Sequence, residues 1–348
     1  MTIRENISLA PLTTLQVGGP ARYLVEATSA DEVLEAMAFA RKRQLPVFVM
    51  GGGSNLVVAD AGWPGLVLRV AIKGVARSGD GRTALFEVGA GEEWDSFVAQ
   101  AVAQNCTGVE CLSGIPGSVG GTPVQNVGAY GQEVSETIES VRALDLKHDK
   151  VVDLAEDACG FGYRASIFNT TERGRYVILW VRFRLTEGAV PTLRYMDLRE
   201  RFSSRTAPPS LADVREAVRQ IRRSKGMLIV PGDPDCRSVG SFFKNPVLNA
   251  VEFRDLSELA LSRGLTIPSY PALDAQRKVS AAWLVEHSGF RKGFARGAAG
   301  ISQKHALALI NRGEARAADI VGLKEHIQER VQQEWRIALE TEPVFVGF

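Results

Sequence analysis

A run of glycines at residues 114–131 constrains this chain more than any other stretch. The segment reads G-I-P-G-S-V-G-G-T-P-V-Q-N-V-G-A-Y-G and holds six of the 34 glycines in the 348-residue sequence. Glycine permits tight bends and a close approach of backbone to a ligand, at an entropic cost. Pro116 and Pro123 stiffen the run, so it is a shaped loop and not a flexible linker. Such a loop either cradles an anion with its N–H groups or is a surface loop with many turns.

Composition narrows the class of protein. Hydrophobic residues make up 45% and charged residues 23%, which is typical of a soluble globular protein. A chain of 348 residues predicts two or three domains, because single cores seldom exceed about 250–300 residues. A net charge of +1 provides no field that would attract nucleic acid or an anionic membrane. The N-terminus does not resemble a signal peptide and no run of eighteen apolar residues occurs, so a cytoplasmic location is expected.

Cysteine and histidine usage argues against a disulfide scaffold and against a metal site. Four cysteines are too few to brace a chain of this length, and no C-x-x-C pair occurs. The four histidines are scattered and form no H-E-x-x-H or clustered Asp/His set. We therefore expect no metal cofactor.

The first third of the chain predicts a strand, a helix and a strand that ends in a second glycine loop. Residues 14–27 predict two short strands around a Gly-Gly-Pro turn, and Ser29 or Asp31 can cap a helix over residues 31–44. The apolar run at residues 46–50 predicts a buried strand, followed by G-G-G-S-N at residues 51–55 and a strand at 56–58. Open α/β sheets bind ligands at such strand ends, although a tight turn is the alternative. The loop has neither the Rossmann nor the Walker glycine pattern.

Further elements follow along the rest of the chain, with a linker at residues 203–210. Phe161–Arg164 predicts a turn, and residues 211–225 predict a basic amphipathic helix with Leu211, Val214, Val218 and Ile221 inward and Arg215, Arg219, Arg222, Arg223 and Lys225 outward. Its charged face is either a solvated surface or an anion site. Predicted strands are residues 65–70, 85–90, 135–146, 175–186 and 342–348; predicted helices are residues 92–105, 251–263, 280–288, 303–311 and 317–339.

Three segments together resemble one enzyme family. V-M-G-G-G-S-N-L-V-V at residues 49–58 and S-G-I-P-G-S-V-G-G-T-P-V-Q-N-V-G-A-Y-G-Q-E at 113–133 resemble the pyrophosphate and isoalloxazine loops of the vanillyl-alcohol-oxidase (PCMH) type of FAD domain. With G-S-F-F-K-N-P at residues 240–246, the chain is similar to the UDP-N-acetylenolpyruvoylglucosamine reductases. F-G-Y-R-A-S-I-F, R-R-S-K-G, V-S-A-A-W-L-V-E and L-E-T-E-P-V-F-V-G match further, in the family's order.

The resemblance implies FAD as cofactor and NADPH as co-substrate. Neither glycine loop contains a histidine, so the histidyl-flavin link of the superfamily is not expected and FAD should be non-covalent. Cys111 lies near the second loop, which leaves a cysteinyl link open. The residues implied to bind FAD are Gly51, Gly52, Gly53, Ser54, Asn55, Gly114, Ile115, Pro116, Gly117, Ser118, Gly120, Gly121, Asn126, Gly128 and Ala129.

The resemblance also implies a reaction and three catalytic residues. NADPH would reduce FAD, and the flavin would reduce the enolpyruvyl group of UDP-GlcNAc-enolpyruvate to give UDP-N-acetylmuramate, a peptidoglycan precursor. Hydride addition at C3 pushes charge onto C2 and the carboxylate, so the reaction needs a cation and an acid. By position, Arg164 would bind the carboxylate, Ser241 would protonate C2 and Glu342 would assist. Pro343 follows Glu342 where an aliphatic residue is usual, which leaves Glu340 as an alternative.

Residues implied to bind the substrate are Tyr163, Tyr195, Lys225, Lys244 and Asn245. Tyr195 resembles a lid tyrosine that closes over the nucleotide, with core packing as its alternative. The lysines and Asn245 would meet the phosphates of the substrate or of NADPH, and which of the two Lys225 contacts stays open. Ala165 and Asn169 stand where relatives often carry Asp and Lys, which affects only the surroundings of Arg164.

The predicted fold is α+β, with a two-part FAD-binding domain of PCMH type and a smaller α/β substrate-binding domain. The predicted boundaries are 1–70 and 71–205 for the two FAD-binding parts, 210–335 for the substrate domain, and 336–348 for a strand that returns to the active site. Arg164, Ser241 and Glu342 should converge over the flavin, in a monomer. Two alternatives remain: another flavin oxidase, which would lack G-S-F-F-K-N-P, and a nucleotide-binding regulatory module, which would not need the three catalytic residues.

Overall fold

The computed structural model describes residues 1–348, except the side chain of Leu273. The helices are α1 (Ala30–Lys42), α2 (Trp94–Ala103), α3 (Met196–Phe202), α4 (Leu211–Ser224), α5 (Ala250–Leu261), α6 (Ala281–Glu286) and α7 (Ala317–Trp335). The strands are β1 (Ile3–Ser8), β2 (Pro20–Ala27), β3 (Val47–Met50), β4 (Leu56–Val58), β5 (Trp63–Val70), β6 (Val75–Ser78), β7 (Thr83–Gly89), β8 (Cys106–Thr107), β9 (Gly128–Ala129), β10 (Gln132–Glu133), β11 (Ile138–Asp145), β12 (Lys150–Ala155), β13 (Tyr176–Glu187), β14 (Ser238–Ser241), β15 (Val247–Leu248), β16 (Ser269–Pro271), β17 (Arg277–Val279), β18 (Ala295–Arg296), β19 (Ala299–Ile301), β20 (Ala308–Asn311) and β21 (Val344–Val346).

The chain divides into two compact units. The first unit comprises Met1–Ile7, Ala21–Gly53 and Trp63–Arg223, and the second comprises Ser8–Pro20, Ser54–Gly62 and Ser224–Phe348. Two short N-terminal segments therefore belong with the C-terminal third of the chain. The predicted boundaries at residues 1–70, 71–205, 210–335 and 336–348 stay a prediction.

The first unit begins with a four-stranded sheet in the order β1-β2-β5-β3. β2 and β3 both pair parallel to β5, as expected of strands joined through a helix. Helix α1 is capped by Ser29, whose side chain accepts a hydrogen bond from the Glu32 N–H. The helix buries Val33, Ala36, Met37 and Ala40 in the core of this unit. β3 ends at Met50, directly before the first glycine loop, which confirms the predicted placement.

The larger sheet of the first unit leads to the second glycine loop. Its strands run β12-β11-β13-β7-β6 with antiparallel pairing, and β11 and β13 lie in the predicted strands at residues 135–146 and 175–186. Helix α2 packs Trp94 and Phe97 against Phe183 in the core. The Trp94 indole N–H also donates to the Leu112 carbonyl at 3.0 Å, two residues before the loop begins. The core therefore fixes the entry of the loop.

Helices α3 and α4 form a smaller cluster with the loop itself. Leu198, Val214 and Val218 pack with Tyr130, which confirms the predicted inward face of α4. The predicted outward position of Arg222 is wrong: its side chain is buried. The Arg222 Nε–H donates to the Gly114 carbonyl at 3.0 Å, and this specific polar partner draws the guanidinium inward.

The second unit contains the sheets β14-β20-β19-β18 and β15-β17-β16 and the parallel pair β21-β4. Helix α7 buries Ile320, Leu323, Ile327, Val331 and Trp335, as its helical stripe predicts. The segment at residues 54–62 joins this unit through β4 and through Asp60, whose carboxylate accepts hydrogen bonds from the first N–H groups of α7.

Two secondary-structure predictions are wrong. Residues 303–311 were expected as a helix, but they form a turn followed by β20, which pairs with β14 and β19 and is buried throughout. A short strand buried on both faces has a continuous apolar sequence and cannot be told from a helix by periodicity. Residues 14–17 form no strand, although β2 does follow the Gly-Gly-Pro turn. Thr14 instead donates its hydroxyl to the Ser238 carbonyl at 2.6 Å, within the second unit.

Candidate active site

The two glycine loops of the first unit lie in direct contact. A Cβ atom on Gly52 would lie 2.7 Å from the Cα of Gly117, and one on Gly51 would lie 2.6 Å from the Ser118 Oγ. Real Cβ atoms do not approach backbone this closely, so these glycines permit the two loops to touch. We call Gly51–Gly53 and residues 114–131 together the glycine seat.

A buried side-chain oxygen of the glycine seat, the Ser118 Oγ, indicates that the seat fits a cofactor. The Ser118 Oγ is buried, and no described residue provides it with a hydrogen-bond partner. Buried hydroxyl groups without partners are rare, and each needs an explanation such as a ligand or a water. A cradle of glycine backbone with an unsatisfied hydroxyl fits the polar chain of FAD. Ser118 and the neighbouring backbone would hold it.

Arg164 lies against the glycine seat. Its guanidinium donates to the Gly128 carbonyl at 2.7 Å and lies over the ring of Tyr163, 5.4 Å from the centroid. The turn predicted here is confirmed by paired hydrogen bonds between Gly162 and Ala165, and Arg164 takes a left-handed φ of 55°. The Asn169 amide donates to the Arg164 carbonyl at 3.2 Å. The hydrogen bonds of the turn fix the Arg164 backbone, and the backbone in turn positions the guanidinium.

Asn126 connects the glycine seat with the Arg164 turn. It is buried, and its amide donates at 3.0 Å both to the Gly162 carbonyl and to the Glu133 carboxylate. Its side-chain oxygen accepts from the Ser135 N–H at 3.2 Å. These contacts position the turn that carries Arg164, and the contact of Asn126 with FAD stays a prediction.

Tyr195 stands at the start of α3 and packs on the glycine seat. Its ring meets that of Tyr130 edge to face, with centroids 5.3 Å apart. The neighbouring Arg194 donates to the Gly131 carbonyl at 3.3 Å and pairs with Glu136 at 2.5 Å. The Tyr195 segment is thus attached to the end of the second loop in this conformation.

Ser241 and Glu342 lie on adjacent segments of the second unit. Ser241 ends β14 opposite Ala308, and the Glu342 N–H donates to the carbonyl of the next residue, Phe242, at 3.0 Å. We call residues 238–244 and 340–344 the Ser241–Glu342 segment pair. Asn55 binds this pair: its amide donates to the Glu342 carbonyl at 3.3 Å, and its own carbonyl accepts from Val344 N–H at 2.9 Å.

Glu340 and Glu342 differ in their surroundings. The Glu340 side chain is 78% exposed and its carboxylate lies 3.4 Å from the Lys244 ammonium. Glu342 is half-buried. Exposed ion pairs contribute little energy and hold their groups loosely. Asn245 has a structural contact as well, because its side-chain oxygen accepts from the Ala281 N–H at the start of α6.

Lys225 lies in an electropositive part of the second unit. Burial, and then the charges of Lys225 and Lys292, lower the pKa of His305 to about 4. The neutral ring accepts the Leu307 N–H at Nδ1, at 3.0 Å. Lys304 forms an ion pair with Asp233.

The predicted site residues divide between the units. Gly51–Gly53, the FAD-binding residues from Gly114 to Ala129, Tyr163, Arg164 and Tyr195 belong to the first unit. Ser54, Asn55, Lys225, Ser241, Lys244, Asn245 and Glu342 belong to the second. The structure brings Arg164 and Tyr195 to the glycine seat, and Asn55, Ser241 and Glu342 to each other. The convergence of Arg164, Ser241 and Glu342 stays a prediction.

Sequence reasoning missed the residues that hold Gly114. The Asp95 carboxylate accepts the Gly114 N–H at 2.6 Å, and Arg222 donates to the Gly114 carbonyl. Arg215, Arg219 and Arg222 recur at i, i+4 and i+7, so one face of α4 was available as a signal. No local sequence pattern indicates that Asp95 contacts Gly114.

The described residues were searched for metal-binding groups and for membrane-spanning helices. Within them, no group of three or more His, Cys, Asp or Glu side chains could hold a metal ion. No helix in the same residues is long and apolar enough to cross a membrane.

The Cys111 thiol is fully buried, and burial raises its pKa. Because a thiolate is the reactive form, this environment disfavours the cysteinyl-flavin link.

Comparisons with known proteins identify the family. Residues 21–155 match an FAD binding domain, and residues 233–346 match the C-terminal domain of UDP-N-acetylenolpyruvoylglucosamine reductase. The curated reductase of Thermobifida fusca is 45% identical, covering 99% of this chain and 98% of its own, and that of Streptomyces avermitilis is 44% identical, covering 97% and 93%. The crystal structure of the Thermus caldophilus enzyme (MurB) superposes with a TM-score of 0.67 at 27% identity, covering 99% of this chain and all of the other.

These matches confirm the predicted α+β fold, the FAD cofactor and the reductase activity. The flavin oxidase alternative fails, because the C-terminal domain match covers residues 240–246, which such an oxidase would lack. The regulatory-module alternative fails, because the curated relatives that match nearly the whole chain are reductases. With this identity over nearly its full length, the chain belongs to the UDP-N-acetylenolpyruvoylglucosamine reductase family, flavoenzymes of peptidoglycan precursor synthesis.

Proposed function

We propose that this reductase uses NADPH as electron donor and UDP-GlcNAc-enolpyruvate as acceptor, with Arg164, Ser241 and Glu342 as its catalytic residues. The observation that carries the assignment is the hydrogen-bonded pairing of the Ser241 segment with the Glu342 segment, to which Asn55 of the first glycine loop is also bonded. This pairing joins a proton donor, a carboxylate and Asn55 within one unit.

Residues of the glycine seat hold the cofactor in this proposal. When bound, FAD would supply the hydride-transfer chemistry between NADPH and C3 of the enolpyruvyl group. The close packing of the two loops keeps their N–H groups fixed, and the Ser118 hydroxyl gains the partner that the protein does not provide. Residues 1–205 carry this function, and residues 210–335 bind the sugar nucleotide.

Arg164 binds the substrate carboxylate and stabilises the charge that develops on it. A guanidinium presents a planar fork of donors that matches a carboxylate and stays charged at any working pH. The left-handed backbone and the bond to the Gly128 carbonyl fix its direction before substrate arrives. A donor that is already oriented costs no reorganisation during the reaction.

Ser241 donates the proton to C2, and Glu342 assists the transfer. A hydroxyl is a weak acid, so a neighbouring group must polarise it or relay the proton. Glu342 is favoured over Glu340 because its side chain is half-buried, whereas that of Glu340 is 78% exposed and paired with Lys244. Lys225, Lys244 and Asn245 bind phosphate groups of the nucleotide, and Tyr163 and Tyr195 contact the substrate.

The proposed acid is tested by separating the two half-reactions of Ser241→Ala. Flavin reduction by NADPH should stay nearly unchanged, while reoxidation by UDP-GlcNAc-enolpyruvate should slow by about 10²–10⁴-fold, the usual contribution of a positioned acid. The matched control is Ser257→Ala, which removes a hydroxyl that bonds only the Phe253 carbonyl on α5. Loss of the NADPH half-reaction in Ser241→Ala would assign Ser241 a structural role instead.

We further propose that the enzyme acts as a monomer in the cytoplasm, where both nucleotides are available. Sedimentation of the holoprotein at several concentrations should give one mass, that of a single chain. A concentration-dependent dimer would contradict the monomer.

A further inference from the structure

A partly buried charge cluster, formed by Asp95, Arg215, Arg219 and Arg222, lies behind the second glycine loop. Arg215 donates to both carboxylate oxygens of Asp95, at 2.6 and 3.0 Å, and Arg219 bonds the same carboxylate. Burial alone would raise the pKa of Asp95, but the hydrogen bonds from Arg215 and the Gly114 N–H, with the charges of both arginines, hold it below its usual range. Asp95 is therefore ionised at any pH at which the enzyme works.

The cluster forms hydrogen bonds with both backbone polar groups of Gly114. Asp95 accepts the Gly114 N–H at 2.6 Å, and the Arg222 Nε–H donates to the Gly114 carbonyl at 3.0 Å. Gly114 has a φ of 73°, a conformation that other residues rarely adopt. A carboxylate on α2 and a guanidinium on α4 thus fix the first bend of the loop.

Arg222 is the most buried of the three arginines, with 7% of its surface exposed. Burial lowers its pKa, and hydrogen bonding to Tyr130 and the charge of Asp95 oppose this effect. A guanidinium nevertheless stays charged in proteins. Because burying a charge costs far more than burying an apolar side chain of similar size, packing alone does not account for an arginine here.

The cluster has an excess of positive charge. Arg215, Arg219 and Arg222 contribute three positive charges and Asp95 one negative charge, so these four side chains sum to +2. Their field is only partly screened, because Arg222 is buried and the other three groups are partly buried. Gly114 and Tyr130, which contact Arg222, both belong to the glycine seat.

We propose that Arg222 and Asp95 are positioning residues whose charges set the reduction potential of the bound flavin. FAD gains two electrons and a proton as a hydride from NADPH, and positive charge behind the loop stabilises the negative charge that this adds. The inference rests on the proposed function, because it requires FAD in the glycine seat. Removal of positive charge should lower the potential, and removal of the Asp95 charge should raise it.

The experiment measures the two-electron potential of the holoprotein by equilibration with a reference dye. Arg222→Met should shift the reduction equilibrium about tenfold toward oxidised flavin, a fall of about 30 mV. Asp95→Asn should shift it in the opposite direction by a similar factor. Arg222→Lys keeps the charge and should stay near the wild type. Arg223→Met, at the exposed next position of α4, is the matched control and should cause no shift.

Opposite shifts in the two charge-removing variants support the proposal, since damage to the fold would not produce opposite signs. If Arg222→Met does not fold, Asp95→Asn alone decides the question by the sign of its shift. Equal potentials in all variants, shifts of one sign, or a fall in Arg222→Lys equal to that in Arg222→Met would overturn the inference. A wild-type protein without flavin would instead contradict the proposed function, so the two failures are distinguishable.

Discussion

The glycine seat and the Ser241–Glu342 segment pair are built in opposite ways. In the seat the backbone makes the critical contacts: a Cβ on Gly52 or Gly120 would lie within 2.7 Å of neighbouring atoms. In the segment pair, backbone hydrogen bonds such as that from the Glu342 N–H to the Phe242 carbonyl hold the two segments together, and the proposed chemistry belongs to the side chains of Ser241 and Glu342. Substitutions in the seat should therefore affect stability and cofactor binding, whereas those in the segment pair should affect turnover.

The largest effect is expected in the segment pair. Glu342→Gln should reduce turnover of UDP-GlcNAc-enolpyruvate by about 10²-fold or more, because a group that assists proton transfer contributes on this scale. FAD content and the free energy of unfolding should stay close to those of the wild type. Stopped-flow measurement of flavin reoxidation provides the rate.

Glu340→Gln is the matched control for this substitution. It removes only an exposed ion pair with Lys244, which contributes at most about 1 kcal/mol. If Glu340→Gln lost turnover and Glu342→Gln did not, the acidic partner would have to be reassigned to Glu340.

The next effect tests the seat through two adjacent glycines. A Cβ on Gly120 would lie 2.6 Å from the Ala90 Cβ, whereas one on Gly121 meets nothing closer than the Ser118 Oγ at 4.0 Å. Gly120→Ala should reduce the free energy of unfolding by about 1–3 kcal/mol, the usual effect of overpacking, and should reduce FAD retention. Gly121→Ala should leave the free energy of unfolding near the wild type. Denaturant unfolding checks the pair, and equal losses would contradict the close-packing account.

Features of the fold that depend on neighbouring residues in the sequence could be predicted, whereas features that depend on distant residues could not. The β3 strand, the glycine loop after Met50 and the buried stripe of α7 follow from local periodicity and caps, and they were predicted. β20 was missed because its apolar run has no period that distinguishes strand from helix.

The burial of Arg222 could not be predicted in the same way. It depends on the Gly114 carbonyl, 108 residues away in the chain. Helical periodicity puts arginines outward unless a partner is known, and no local pattern reveals a partner at that separation. The assignment of Ser241 and Glu342 as catalytic stays a prediction that rests on the resemblance to a family, since neither residue has a local signature of its own.

Low pH should reduce the free energy of unfolding through His305 without removing the charge of Asp95. His305 lies beside Leu307, whose carbonyl accepts the Phe242 N–H, and its pKa falls from 6.5 to about 4 on folding. The unfolded chain therefore binds a proton between these values while the folded chain does not. Stability is full above pH 6.5 and falls toward pH 4, by about 1–2 kcal/mol between pH 7.5 and pH 5. Asp95, which accepts the Gly114 N–H of the seat, stays ionised over this range.

Unfolding measured at several pH values checks this prediction. His305→Gln should remove most of the pH dependence, and His287→Gln, which replaces an exposed histidine of the same unit, serves as control. An unchanged slope in His305→Gln would mean that other groups cause the acid sensitivity.

The smallest effect concerns Ser118 and should change sign with the cofactor. Without FAD, the buried hydroxyl lacks a partner among the described residues, so Ser118→Ala should stabilise the apoprotein by about 1 kcal/mol. With FAD the substitution should weaken binding about fivefold, because a hydrogen bond of similar energy is lost. Thr122→Val is the contrast: its buried hydroxyl already donates to the Val119 carbonyl, so its loss should destabilise both forms. Thermal unfolding and FAD titration of the apoprotein provide the two measurements. A Ser118→Ala apoprotein less stable than the wild type would indicate that the hydroxyl serves the protein and not the flavin.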